Sequence, residues 1–488
     1  MNPLDLKSPK LPLVSLQSNR YETLLTDAKL VNGYIEKLEN GEIWVYKRPG
    51  LAGFSAAYTA TTPAAGLFYW LGDLYSIYNN TFYKNGTSIG SLTSGGFWQN
   101  ISGTAAAVLA GTADVNWSFD NTMAGTSTLQ TLFFHNASYG YKYDSTNGLV
   151  SISGIPTQLV PGCAYLDGTM YVMDINGNIR GSDINDLTTW NSLNKIVAQI
   201  EPDNGVRLAK QLVYVIALKQ WSTEFFYDAG NATGSPLGPV QGQKLNFGCA
   251  AAGSFQDADG SLFWLAAAKT GERFVVKLDN LHHTVISTPA VNRLIKGAYN
   301  SNDIITSWKA RVSGHVFYGL NFPLANLTLV FDNTTQTWYT WEDSSGTYLP
   351  ISGSAYSGTG LTVLQSYADT RLYNFDPTIG TDASATVSAA KSVILDLVTP
   401  NYDSGTRFQK YLPRMRLSSD RSQSYCKIRY SDDDYNSWSN WRQFDLRQPT
   451  PMLDEWGSFE RRAFNFRHEF PIPFRIKEVE LDLALGTL

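Results

Sequence analysis

The hydrophobic pattern of this chain is written in short runs. Residues 316–322 and 327–331 are two apolar-aromatic stretches separated by Pro323-Leu324-Ala325-Asn326. Each is rich in β-branched and aromatic residues and too short for a stable helix, so both are predicted strands. Phe331-Asp332-Asn333-Thr334-Thr335 then supplies a polar turn, and residues 337–341 a third strand. Asp, Asn and Thr suit that turn because their side chains can hydrogen-bond the local backbone. Strand, turn, strand, turn, strand is most of one antiparallel sheet.

The chain repeats this unit. Between residues 66 and 376 an apolar run ends in Asp and a turn at Tyr143-Asp144, Ser182-Asp183, Tyr227-Asp228, Leu278-Asp279, Phe331-Asp332 and Phe375-Asp376, with Tyr83-Lys84-Asn85-Gly86 as a degenerate earlier copy. The Asp-to-Asp spacings are about 39, 45, 51, 53 and 44 residues, close to the blade period of β-propellers. Before most of these positions lies a second strand signal, at residues 170–174, 212–218, 262–266, 316–320 and 361–364. Radial closure leaves such repeats only short protected edges. The pattern therefore predicts an all-β fold, a β-propeller of six or seven blades over residues 61–385. Asp marking hairpin turns in any β protein is the plainer explanation, and random turns would not hold so regular a beat. One helix interrupts the pattern, with Thr288 as N-cap, Pro289 at its first position, and Val291, Leu294, Ile295 and Ala298 on one face.

The flanks differ. Residues 1–60 begin as an extended arm spaced by Pro3, Pro9 and Pro12, then give a predicted strand over 42–47 that Pro49-Gly50 stops. After a Gly-Thr-Ser-Ala linker over 378–390, residues 386–488 carry strand signals at 393–398, 411–417, 426–430, 441–446, 462–466 and 474–483. They predict a separate, smaller β-sandwich. Leu4, Leu6, Leu11 and Leu13 in the arm have no periodic pattern that would bury them at home. The C-terminal domain is Arg-rich, and Arg414, Arg416, Arg461 and Arg462 offer forked donors for a partner's carboxylates. These eight are the partner-interface candidates, with a solvated mixed-charge surface as the plain alternative for any one arginine.

Composition sharpens this. Aromatics reach 13%, with 40 glycines, which favours pleated half-buried surfaces and tight turns. Charged residues are 17% and the net charge is -5, so no face built to neutralise phosphates is expected. Cys163, Cys249 and Cys426 form no CxxC and read as small buried hydrophobes. The N-terminus lacks the basic start and apolar run of a signal peptide, and no run approaches the ~20 residues of a membrane helix, so a soluble, unexported chain without membrane insertion is expected.

Catalytic chemistry does not assemble. His282 and His283 point to opposite faces of a strand, and no HExxH, P-loop or nucleophile-elbow spacing appears. Asp432-Asp433-Asp434 lacks the Gly and terminal Glu of a calcium loop. No catalytic residue, metal or cofactor is predicted. Residues 431–438, Ser-Asp-Asp-Asp-Tyr-Asn-Ser-Trp, instead resemble the Asp-box hairpin of sialidases and other β proteins, with Tyr435 in place of its Gly. In those families the box is a folding element away from the active site.

Several motifs together resemble the packaged-DNA stabilisation, or tail hub (nozzle), family of short-tailed bacteriophages. They are Leu30-Val31-Asn32-Gly33-Tyr34-Ile35-Glu36-Lys37, Lys47-Arg48-Pro49-Gly50-Leu51, Trp221-Ser222-Thr223-Glu224-Phe225-Phe226, Val285-Ile286-Ser287-Thr288-Pro289-Ala290, Gly314-His315-Val316-Phe317-Tyr318 with Leu329-Val330-Phe331-Asp332, and Tyr430-Ser431-Asp432-Asp433-Asp434. The resemblance implies a non-enzymatic virion protein, made in the host cytoplasm. Six copies would form a ring below the portal and its adaptor, retain the packaged DNA and extend the ejection channel. The ring would also carry a tail needle or plug and tailspikes or fibres, and genomic DNA would pass without sequence-specific binding. The competing class is a propeller glycosidase or glycan-binding adhesin, with aromatics such as Trp338 and Trp341 stacking on sugars.

Overall fold

A computed structural model describes residues 9–14, 28–55, 64–95, 117–122, 130–367, 369–383 and 390–485. Among these residues seven antiparallel blades follow one another along the chain. Blade one is Ala64–Trp70, Asp73–Tyr78, Thr81–Lys84 and Thr87–Ser91. Blade two is Ser118–Asn121, Leu132–His135, Gly140–Asp144 and Gly148–Ile152. Blades three and four are Leu159–Leu166, Thr169–Asp174, Asn178–Gly181, Lys195–Val197, and Gly205–Gln211, Tyr214–Lys219, Thr223–Asp228, Leu237–Leu245. In blade five the inner edge is split into Phe247–Cys249 and Gln256–Ala258, followed by Ser261–Ala268, Arg273–Asp279 and His282–Val285. Blade six is Thr306–Val312, His315–Phe322, Leu327–Asp332 and Thr337–Thr340. Blade seven is Ile351–Tyr356, Thr362–Ser366 and Leu372–Asp376, completed by Gly50–Gly53.

The repeating acid has one address. In each blade it ends the third strand or follows it within two residues, from Asn85 in blade one through Asp144, Asp183, Asp228, Asp279 and Asp332 to Asp376. Four of these side chains cap the turn that follows. Asp144 accepts from the backbone N–H of Thr146 and Asn147 at 2.9 and 2.6 Å, Asp228 from Gly230 at 2.8 Å, Asp332 from Thr334 at 2.9 Å and Asp376 from Thr378 at 2.8 Å. In blades two, four, six and seven the beat in the sequence is thus a local turn device.

Apolar residues alternate inward on both faces of each blade, so the core lies between neighbouring blades. Tyr75, Ile77 and Phe82 of blade one meet Trp117 and Phe134 of the next, with Phe82 and Phe134 stacked at 4.7 Å. Blades three and four share Val160, Tyr171, Leu208 and Phe226, and blades four and five share Ile216, Phe225, Trp264 and Val276. The helix forms as Pro289–Ala298, with Thr288 accepting from the Val291 N–H, and buries Val291, Ile295 and Ala298 in the core of blades five and six.

The N-terminal strands are spread over three sheets. Gly50–Gly53 pairs antiparallel with Leu372–Asp376 and closes the propeller. Lys29–Val31 lies beside blade six, in parallel through Val31 and Thr340, and on its other side pairs with Leu395–Val398. Blade six thereby runs on into Ala463–His468, Tyr425–Ser431 and Arg442–Asp445, a nine-stranded sheet. Gly33–Lys37 and Ile43–Lys47 join Arg475–Leu485, Lys410–Ser419 and Met452–Asp454 in a second C-terminal sheet. The two sheets bury Leu395, Leu397, Ile428, Phe464 and Phe466 against Ile35, Val45, Met415, Leu481 and Leu483 in one hydrophobic core.

That core corrects the reading of the arm. Leu11 and Leu13 are 4% and 6% exposed and belong to it. The Leu11 N–H donates to Val479 O at 2.8 Å, and the Lys10 backbone forms a single antiparallel β-bridge with Glu480. Two leucines without periodicity find their burial on a non-local strand, Arg475–Leu485, and are not free for a partner. Leu4 and Leu6 lie outside the described residues.

Candidate functional site

The motifs at the two ends of the propeller meet in a single buried network where the ring closes. Asn32 adopts φ 54°, a left-handed conformation that Asn tolerates, and this lets the chain step from one sheet to the other. Its carboxamide oxygen accepts from Arg48 Nε at 2.9 Å and from the Glu342 N–H at 2.7 Å, while its amide donates to Ile394 O at 3.1 Å. Arg48 is 1% exposed. Its two terminal nitrogens meet the carboxylate of Asp382 at 2.9 and 2.6 Å, with further bonds to Pro49 O and Glu342 O. Asp382 also accepts from the Leu51 N–H at 3.2 Å. The arginine fork and its bidentate carboxylate are fully satisfied, which is the condition under which a buried ion pair is tolerated. Gly50 is required here by space, since a Cβ would stand 2.1 Å from Thr381 O. The Arg-Pro-Gly-Leu motif is thus the closure lock of the propeller.

Beside the lock is a cavity of about 250 Å3, lined by Tyr34, Glu36, Lys47, His315, Asp420 and Arg475 among others. Lys47 donates to Phe470 O at 2.6 Å and, more weakly, to Ile472 O at 3.4 Å. Burial, with Arg48 next to it, pulls its pKa down to about 7, against an opposing pull from Asp382. His315 Nδ1 stands 2.8 Å from Asp332, whose carboxylate also takes Thr335 Oγ1 at 2.7 Å, and Tyr34 packs edge-on to the imidazole.

The remaining motifs are also structural locks. Lys219, wholly buried, contacts Asp203 at 2.8 Å and Glu224 at 3.2 Å, and Asp203 holds the N–H groups of Trp221 and Ser222. Trp338 gives its indole N–H to Ile286 O at 2.8 Å. In the hairpin resembling an Asp-box, Asp433 accepts first from Ser437 Oγ, then from Ser437 N and from Ser431 Oγ. These bonds hold its carboxyl at about 2. His468, buried against Phe474, is pushed down to about 3 by desolvation, and His135, bonded to two backbone carbonyls, is shifted the same way. Among the described residues no three His, Cys, Asp or Glu side chains gather as a metal site. No helix there is long and apolar enough to cross a membrane.

The four arginine candidates separate. Arg462 is 1% exposed and is corrected from interface to core. Its guanidinium forks onto Asp432 at 2.6 and 2.7 Å, donates to Trp456 O, and lies 3.8 Å over the Tyr430 ring, pinning the hairpin to strand Ala463–His468. Arg414 pairs with Asp454 at 2.7 Å, Arg416 with Asp482 at 2.9 Å and Arg461 with Asp434 at 3.3 Å. Each is at the surface with a carboxylate already supplied by this chain. The structure does not gather the four into one site. The sequence alone does not reveal the closure lock, because Arg48 and Asp382 are 334 residues apart, although Asn32 and Arg48 stand in the family-like motifs.

Comparison with known proteins completes the description. Among solved structures, this chain is similar to a streptogramin B lyase structure at 12% identity and TM-score 0.38, over 67% of this chain and 98% of that one. It is similar to Chaetomium thermophilum Raptor at 13% and 0.41, over 68% and 29%, and to a chain of a mitotic checkpoint complex at 8% and 0.42, over 67% and 94%. No curated protein matches. Residues 41–379, which take in the closure strand and all seven blades, match the model of the family described as bacteriophage P22 Gp10, beta-propeller, and the chain belongs to this phage packaged-DNA stabilisation family.

Proposed function

We propose that this chain is a non-enzymatic structural protein of a short phage tail, assembled as a homohexameric ring below the portal and its adaptor. In this reading the ring retains the packaged DNA, extends the ejection channel, and carries the needle or plug and the spikes or fibres. The observation that carries it is the family match across residues 41–379. Charge is in keeping, because a conduit with net charge -5 does not grip the DNA it must release. The two C-terminal sheets around one core, which also take in strands Lys29–Val31, Gly33–Lys37 and Ile43–Lys47, support treating that part as a sandwich that presents surface to other tail proteins.

The glycan-binding alternative loses the residues it rested on. Trp341 is wholly buried and gives its N–H to Gly33 O, and Trp338 is half-buried against Phe331. Deleting the gene in the phage tests the proposal. Heads made without the protein should package DNA and then lose it, so that DNA-filled particles become rare. Stable, infectious, DNA-filled particles from the deletion would refute the reading.

A further inference from the structure

Arg429 lies on strand Tyr425–Ser431, outside the residues matched by the family model. Cys426 and Ile428 on either side of Lys427 point into the core, so Arg429 is on the opposite, outer face of the sheet. Its guanidinium lies 4.9 Å over the Trp438 ring and 4.4 Å over the Trp441 ring. The Asp433 turn and the bond from Tyr430 N to Ser439 Oγ fix the connection that carries both indoles. Arg429 Nε donates to Asn465 Oδ1 at 2.9 Å. The terminal guanidinium nitrogens have no acceptor among the described residues, and neither do the indole N–H groups of Trp438 and Trp441. The acid nearest in influence, Asp396, is engaged by Asn465 and Lys29. Arg414, Arg416, Arg461 and Arg462 all have carboxylates at home; Arg429 does not.

We propose that Arg429, held between Trp438 and Trp441, is a docking site for an Asp or Glu side chain of a partner protein. The site offers guanidinium donors that have no acceptor among the described residues, and a planar fork matches a carboxylate in two parallel bonds. The flanking indoles keep the guanidinium pre-oriented and shield the pair from water, the setting in which Trp and Arg dominate interfaces. A DNA backbone is the poorer fit. Phosphate runs are gripped by several free cations, and here the neighbouring Arg462, Arg461 and Lys427 are already paired with Asp432, Asp434 and Glu469. The proposal goes beyond the tail assignment and does not depend on it, because the site is complete in this chain.

The test is titration of the purified full chain with capped hexaglutamate, followed by calorimetry. Capped hexaglutamine, a short DNA duplex and inorganic phosphate are the comparison ligands. Hexaglutamate should bind saturably and hexaglutamine should not. R429Q should weaken hexaglutamate by at least tenfold. R429K, which keeps the charge and loses the fork, should weaken it less, and W441A should weaken it without lowering the melting temperature. Absence of saturable hexaglutamate binding to the wild-type chain, or an affinity within twofold in a folded R429Q, overturns the proposal. Tighter Arg429-dependent binding of duplex or phosphate than of hexaglutamate overturns it in favour of a phosphate site.

Discussion

Arg48 and Asp382 form a buried two-pronged ion pair across 334 residues of chain, at 2.9 and 2.6 Å. One partner precedes the propeller and the other follows it, so the pair ties the closing strand Gly50–Gly53 to the blade it completes. Removing one partner strands a charge in the core, which costs about 3–5 kcal/mol, whereas replacing both with apolar residues of similar size costs less. R48M and D382L should each lower the unfolding free energy by about that amount in denaturant titrations, and the double variant should recover part of the loss. Single variants within about 1 kcal/mol of wild type would show that closure does not depend on the pair.

Lys47, adjacent to that pair, makes stability depend on pH. Its folded pKa of about 7 lies below the ordinary 10.5. Between these values the unfolded chain holds a proton that the folded chain has shed, so stability rises with pH across the window, by up to about 1.4 kcal/mol per unit. Below pH 7 the cost of burying the charged amine is present in full. K47M removes this slope. The wild-type unfolding free energy, taken relative to K47M, should climb from about pH 7 towards pH 10; parallel curves would contradict the assignment.

Leu11 and Leu13 now carry a prediction about folding. Both pack in the core shared by the two C-terminal sheets. L11A and L13A should each cost about 2–5 kcal/mol in the isolated chain, by lost burial plus the cavity left behind. If thermal melts of the purified variants match wild type, the leucines contribute nothing at home.

Much of the propeller was legible because its marker is local. Asp144, Asp228, Asp332 and Asp376 each accept from a backbone N–H within three residues, so their spacing could be read without knowing any partner strand. The helix was legible for the same reason, with its cap and proline inside one turn. What could not be read were pairings with no local signature. Val31 beside Thr340, Val45 beside Ile476 and Gly50 beside Asp376 join segments hundreds of residues apart. The burial of Arg462 and the spread of the N-terminal strands over three sheets follow from such pairings. An arginine reads as surface until a carboxylate such as Asp432, on the neighbouring strand's hairpin, is seen to meet it.

The proposed function requires this chain to be a built-in part of the phage tail. Quantitative mass spectrometry of gradient-purified, DNA-filled particles tests it most directly. The chain is expected in every preparation at a fixed ratio to the portal, retained after salt washing and sufficient for one ring per particle. Its absence from the particles, or a trace amount that washes away while infectivity is kept, would contradict the account.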